Sequence, residues 1–189
     1  MDESLQALQA LSIPTVWAEA QQRFRAPHRR QEWLSVRLLL QALLNEPKSI
    51  GYLPSGKPYL IDDVREISIS HTHGYVAVIV GHGTVGIDIE QYAKRVHRLS
   101  SRFIRDDEQI VPYCGDDTWS LLLHWSAKEV VFKCLETDGV DFREHLYIYP
   151  FVPSETGSFD ACESRTSEWR KFVVHYLLHP DFVLTYTRP

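Results

Sequence analysis

Residues 66–90 read EISISHTHGYVAVIVGHGTVGIDIE, and this run decides the fold class. Segments 66–70, 75–80 and 85–90 are rich in β-branched residues. They are separated by His71-Thr72-His73-Gly74 and by Gly81-His82-Gly83-Thr84. The first break joins two strands, and the second reads as a hairpin turn into 85–90. No helical stretch intervenes. Strands in a run, rather than strict strand–helix–strand alternation, predict an α+β fold with mainly antiparallel sheet.

Upstream, 31–45 (QEWLSVRLLLQALLN) places Leu34, Leu38, Leu39, Ala42 and Leu43 near helical spacing, and Pro47 stops the helix. Residues 51–58 (GYLPSGKP) are dense in Gly and Pro and read as a loop with defined turns. Downstream, 118–136 is a second helix with Asp117 or Thr118 as its cap. Strands follow at 145–149, 172–178 and 182–187, with a turn at Pro180-Asp181, while 154–167 (SETGSFDACESRTS) reads as a mobile loop. Helix then strands, twice over, divides the chain into 1–82 and 83–189.

Composition narrows the class. The chain has 189 residues, 44% of them apolar and 24% charged, which excludes wholesale disorder and a fibrous design. Twenty Lys and Arg against 25 Asp and Glu leave a charge of −5, so a general polyanion binder is excluded and nucleic acid is not an expected partner. Cys114, Cys134 and Cys162 lack CxxC spacing, so reduced thiols and a cytoplasmic location are expected. The N-terminal MDESLQALQALSIP has neither signal-peptide nor transit-peptide character. No apolar run reaches the ~18–20 residues of a membrane span.

Chemistry concentrates in two motifs. In Gly86-Ile87-Asp88-Ile89-Glu90, a strand puts Asp88 and Glu90 on one face and Ile87 and Ile89 on the other. In Trp125-Ser126-Ala127-Lys128-Glu129-Val130-Val131-Phe132-Lys133, helical spacing by four sets Trp125, Glu129 and Lys133 on one stripe. Taken singly, the first is a strand with a polar outer face, and the second a surface ion pair worth ~0.3–0.5 kcal/mol. Together they bring three carboxylates to a strand–helix junction. At ~4 Å and an effective dielectric of ~20, each like-charged pair repels by ~4 kcal/mol, so the cluster needs a cation or raised pKa values. Oxygen ligands favour Mg²⁺, then Mn²⁺, and Mg²⁺ commonly completes its shell with water and phosphate oxygens.

The second motif resembles the W-x-x-K-E-x-x-x-K signature of the 4′-phosphopantetheinyl transferase superfamily, and GIDIE resembles its G-x-D-x-E. Gly56-Lys57-Pro58, Ser68-Ile69-Ser70-His71, and Phe103 with Glu108 are weaker matches in the same order. The likeness is to the larger single-chain branch, which implies two similar α/β halves with the active site between them. It implies transfer of the phosphopantetheine arm of coenzyme A to a serine of an apo carrier protein, with release of adenosine 3′,5′-bisphosphate. By resemblance, Asp88, Glu90 and Glu129 hold Mg²⁺, and Glu129 and Lys133 take part in catalysis. Arg37, Gly56, Lys57, Pro58, Ser70, His71, Lys128 and Lys133 contact coenzyme A. Glu108 is the candidate base for the carrier serine, with a metal-bound water as its rival. A serine hydroxyl is a weak nucleophile unless so activated. The chain departs from that branch in its short portion ahead of the GKP loop.

Residues 93–105 (AKRVHRLSSRFIR) contain Lys94, Arg95, Arg98, Arg102 and Arg105 and no acid. This local reversal of sign is the candidate docking surface for an acidic carrier, with an ordinary solvated basic helix as the alternative. Monomeric action is expected. Two other functions compete: a non-catalytic relative that binds coenzyme A or a carrier, and a Mg²⁺-dependent pyrophosphate hydrolase.

Overall fold

The computed structural model describes residue 1 and residues 3–189; Asp2, within the N-terminal MDESLQALQALSIP, lies outside them. Three helices come first. α1 (Leu5–Leu11) is capped by the Ser4 hydroxyl, which accepts from the Ala7 N–H at 3.2 Å. α2 (Pro14–Arg23) and α3 (Pro27–Leu44) both start on proline, whose missing N–H costs nothing in a first helical turn. α3 ends at Asn45, in the left-handed region at φ 57°. Leu8, Ala20, Trp33 and Leu34 bury the seam among the three helices.

Two hairpins follow. β1 (Ile50–Tyr52) pairs antiparallel with β2 (Pro58–Leu60) around the GKP loop, and β3 (Glu66–Thr72) pairs with β4 (Tyr75–Gly81). Leu40 of α3 packs on Leu60 and Ile67 to close a second apolar cluster.

The expected hairpin at 81–84 does not form. β5 (Gly86–Gln91) leaves β4 and pairs antiparallel with β9 (Phe182–Thr187), placing Asp88 opposite Thr185. The sheet continues through β8 (Lys171–His179) and β7 (Thr156–Glu163) to β6 (Leu146–Ile148), in the order β5-β9-β8-β7-β6. β7 overturns the mobile-loop expectation for 154–167. Its inward positions, Phe159, Ala161 and Glu163, alternate as a strand requires, but only two of them are apolar. The buried Glu163 carboxylate accepts from the N–H groups of Thr166 and Arg170 at 2.8 and 3.0 Å, so its burial is compensated by the turn it closes.

α4 (Thr118–Cys134) lies across this sheet. Leu121, Leu122, Leu123, Ala127 and Val131 pack there against Leu146, Ile148, Phe159, Val174 and Val183. Its first turn is capped by Asp116, whose Oδ1 accepts from the Thr118 N–H at 2.9 Å, rather than by the Asp117 or Thr118 side chain. α5 (Phe142–His145) is a single turn leading into β6. The architecture is thus α+β with mainly antiparallel sheet. Among the described residues no helix is long and apolar enough to cross a membrane.

What positions the site is the meeting of β3 with β5. The two strands share no backbone ladder; serine hydroxyls take its place. Ser68 Oγ accepts from the Ile87 N–H at 3.1 Å, and Ser70 Oγ from the Ile89 N–H at 3.3 Å. Equal steps along both chains show that β3 and β5 run side by side in one direction. On the far face of β5, Ile87 and Ile89 are buried with Ala77 of β4.

Candidate active site

Gly86 opens β5 where the strand comes closest to α4. A Cβ there would stand 2.8 Å from the Val130 carbonyl oxygen and from Cys134 Sγ, too near for any side chain. That close approach brings the next alternate residues of β5 under the α4 stripe of Trp125, Glu129 and Lys133.

Asp88 is almost wholly buried and fully engaged. Its Oδ1 accepts from Ser70 Oγ and Lys133 Nζ, each at 2.8 Å, and its Oδ2 from Ser126 Oγ at 2.8 Å. Lys133 Nζ also donates to the Ile87 carbonyl at 2.9 Å, which pins α4 to β5. Glu90 Oε1 accepts from the Trp125 indole N–H at 2.7 Å. Burial, and then the charge of Asp88, push Glu90 above the ordinary carboxylate range. The same two causes, in the same order, push Glu129 up to about 7, with Lys133 opposing them. Asp88, Glu90 and Glu129 therefore share one electrostatic field, on one side of the strand–helix junction.

Their oxygens are not drawn together to contact spacing. Among the described residues, the one set of three ligand atoms within 4.8 Å of one another is His97, Asp116 and Asp117, at the start of α4. That set serves the helix start: Tyr92 Oη donates to Asp116 at 2.5 Å, and His97 Nε2 lies 2.9 Å from Thr118 Oγ1. Lys133 is bonded to Asp88 and opposes the upward shifts of Glu90 and Glu129 through its charge. Three hard oxygen donors, two of them held above their usual pKa by burial and mutual repulsion, suit a hard divalent ion.

From Lys133 outward two clefts join end to end, sharing Gly56, Pro58 and Ile69. One, of about 460 Å³, runs between the GKP loop and the end of α4, with Lys57, Phe132, Lys133 and Glu136 on its walls. The other, of about 330 Å³, is lined by Arg23, Arg29, Arg37, Tyr52 and His71. The Arg37 guanidinium lies 3.2 Å over the Trp33 ring and donates from Nη1 to the Trp33 carbonyl at 3.3 Å. Gly56 takes φ 88°, a conformation that suits glycine in the loop turn.

Three residues named from the sequence have their polar atoms engaged within the protein. Glu108 and Lys128 form an ion pair at 2.9 Å with both side chains fully inaccessible. Lys128 Nζ also donates to the carbonyls of Phe103 and Phe142 at 2.5 and 3.2 Å. Glu108 also accepts from the N–H groups of Arg105 and Ile148 at 2.9 and 2.8 Å. Neither side chain is accessible to solvent. Ser70, the third, is directed at Asp88 rather than into the cleft. In the other direction, the sequence reading passed over Ser126, whose hydroxyl touches both Asp88 and, at 2.7 Å, Thr185 Oγ1. Its place beside Ala127 in the helical motif gave no polar pattern to read. Glu136 was missed too, since a lone acid past a helix end carries no signal.

Residues 93–105 form two short 3-10 turns, Lys94–Arg98 and Ser100–Arg102, rather than an α-helix. Val96 and Phe103 anchor them to the core. Lys94, Arg95, Arg98 and Arg102 are exposed, with no ion pair among the described residues, whereas Arg105 is tied to Asp107 at 2.8 Å.

A search of curated protein sequences gave no match to the chain. The family model described as the 4′-phosphopantetheinyl transferase superfamily matches residues 84–187. That span contains Asp88, Glu90, Trp125, Glu129 and Lys133, and leaves out the GKP loop, Arg37 and His71.

Proposed function

The chain belongs to the 4′-phosphopantetheinyl transferase superfamily, and from that premise we propose that it moves the phosphopantetheine arm of coenzyme A onto a serine of an apo carrier protein. The observation that carries this reading is the gathering of Asp88, Glu90, Glu129 and Lys133 along one seam, with Lys133 also on the wall of a cleft that bears Lys57. We assign the chain to the larger branch, with residues 1–82 serving the nucleotide end of coenzyme A and 83–189 the metal and the carrier.

Asp88, Glu90 and Glu129 would hold Mg²⁺, with Mn²⁺ as the substitute; the bound ion supplies charge neutralisation for a diphosphate. Arg37 and His71 face the cleft suited to the 3′-phosphate, where a guanidinium fork pairs two phosphate oxygens. Gly56 and Pro58 lie where the two clefts join, beside the diphosphate path. The carrier serine attacks the β-phosphorus of coenzyme A in line, and the phosphorus–oxygen bond to the α-phosphate breaks. Adenosine 3′,5′-bisphosphate leaves with the bonding pair, beside the positive charge of Lys133. The serine proton passes to water as the hydroxyl attacks, the role of base for which the resemblance offers Glu108 or water at the metal.

The carrier docks on Lys94, Arg95, Arg98 and Arg102, and the enzyme works as a cytoplasmic monomer. Incubation with coenzyme A, Mg²⁺ and an apo carrier tests the whole reading by mass spectrometry. A carrier heavier by one phosphopantetheine arm is the expected result. Bisphosphate release with an unmodified carrier would make the protein a hydrolase, and no reaction at all a binding relative.

A further inference from the structure

Lys57 and Glu136 stand on opposite walls of the 460 Å³ cleft, one in the loop between β1 and β2, the other just past the end of α4. They meet across it, with Lys57 Nζ 2.7 Å from Glu136 Oε1. Glu66 at the start of β3 supports the same ammonium from 3.4 Å. The pair is asymmetric: the Lys57 side chain is 20% exposed and that of Glu136 71%. The cation is therefore held in place by its wall, while the acid reaches in from solvent. A carboxylate oxygen and a phosphate oxygen offer an ammonium the same charge-assisted bond.

We propose that Glu136 is a built-in competitor for Lys57, an acid that occupies the ammonium until a phosphate oxygen of the substrate displaces it, and so sets the affinity for coenzyme A. The inference rests on the reading that this cleft takes the diphosphate of coenzyme A. The pair's electrostatics agree with it. The bond to Lys57 holds Glu136 below its ordinary pKa, and the two acids hold Lys57 above its own despite burial. Arg170 is the other cation in the field of Glu136, and it donates to the Cys134 carbonyl at the end of α4. The released carboxylate thus keeps a favourable neighbour, and Lys57 keeps Glu66.

Isothermal titration of coenzyme A in Mg²⁺ into the wild type, Glu136→Gln, Lys57→Gln and the double variant tests the proposal. Glu136→Gln is expected to bind about two- to five-fold tighter, the range an exposed ion pair supplies. That gain is expected to vanish when Lys57 is already Gln. Glu136→Ala must repeat the gain, which guards against an effect peculiar to glutamine. Unchanged or weaker binding by both Glu136 variants, or a gain that persists without Lys57, overturns the proposal while leaving the transferase reading intact. A wild type that binds no coenzyme A removes both.

Discussion

At the scale of single residues, the site is a contest between charges that cannot all be satisfied by Lys133. Glu129 is the member whose protonation lies in the working range. Its folded pKa of about 7 stands above its ordinary 4.5, so the folded chain holds the proton more tightly than the unfolded one. The stability this proton confers is complete below about 4.5 and is lost as pH rises through about 7. Glu90 acts in the same sense. Denaturant titrations across that window are expected to show the metal-free protein weakening with pH, and Glu129→Gln flattening the slope. A metal ion competes with the same proton. Apparent Mg²⁺ affinity is therefore expected to fall roughly ten-fold per pH unit below about 7 and to level off above it. A pH-independent affinity would remove Glu129 from the ligand set.

At the scale of elements, α4 is held in phase by contacts on two sides. Toward β5, Lys133 and Ser126 bind Asp88, and Trp125 binds Glu90. Toward the 3-10 turns and β6, Lys128 binds Glu108, which also receives the Ile148 N–H. The second contact is a buried ion pair, in which removing one partner strands the other charge. Glu108→Ala is expected to cost about 3–5 kcal/mol in chemical denaturation, and Lys128→Met a similar amount. Replacing both with apolar residues is expected to recover most of that loss. A Glu108→Ala protein of full stability but no turnover would instead mark Glu108 as a catalytic group.

At the scale of the whole molecule, charge is segregated. The chain carries −5 overall, yet Lys94, Arg95, Arg98 and Arg102 stand together on two turns that the core holds firmly through Val96 and Phe103. Such a surface raises encounter rates with an acidic partner and loses its effect as salt screens it. Reversing Arg98 and Arg102 to Glu is expected to raise KM for the carrier several-fold, with coenzyme A affinity unchanged. That increase should shrink at high ionic strength. Carrier kinetics identical to wild type would place the docking surface elsewhere.

The sequence by itself determined which side chains share a face. A period of two put Asp88 beside Glu90, and a period near 3.6 put Trp125, Glu129 and Lys133 in one row, because these repeats belong to the backbone and need no partner. Which face turns inward was a different matter. α4 is buried on several sides, so its spacing did not reveal that the Lys128 amine is enclosed with Glu108. β7 escaped notice because neighbouring strands, rather than its Gly, Ser and Asp residues, hold it extended. The change of sheet between β4 and β5 was equally hidden, since strand pairing is settled by contacts far apart along the chain. Only the tertiary structure set the GIDIE strand against the serines of β3 and under α4, and so made three scattered acids into neighbours.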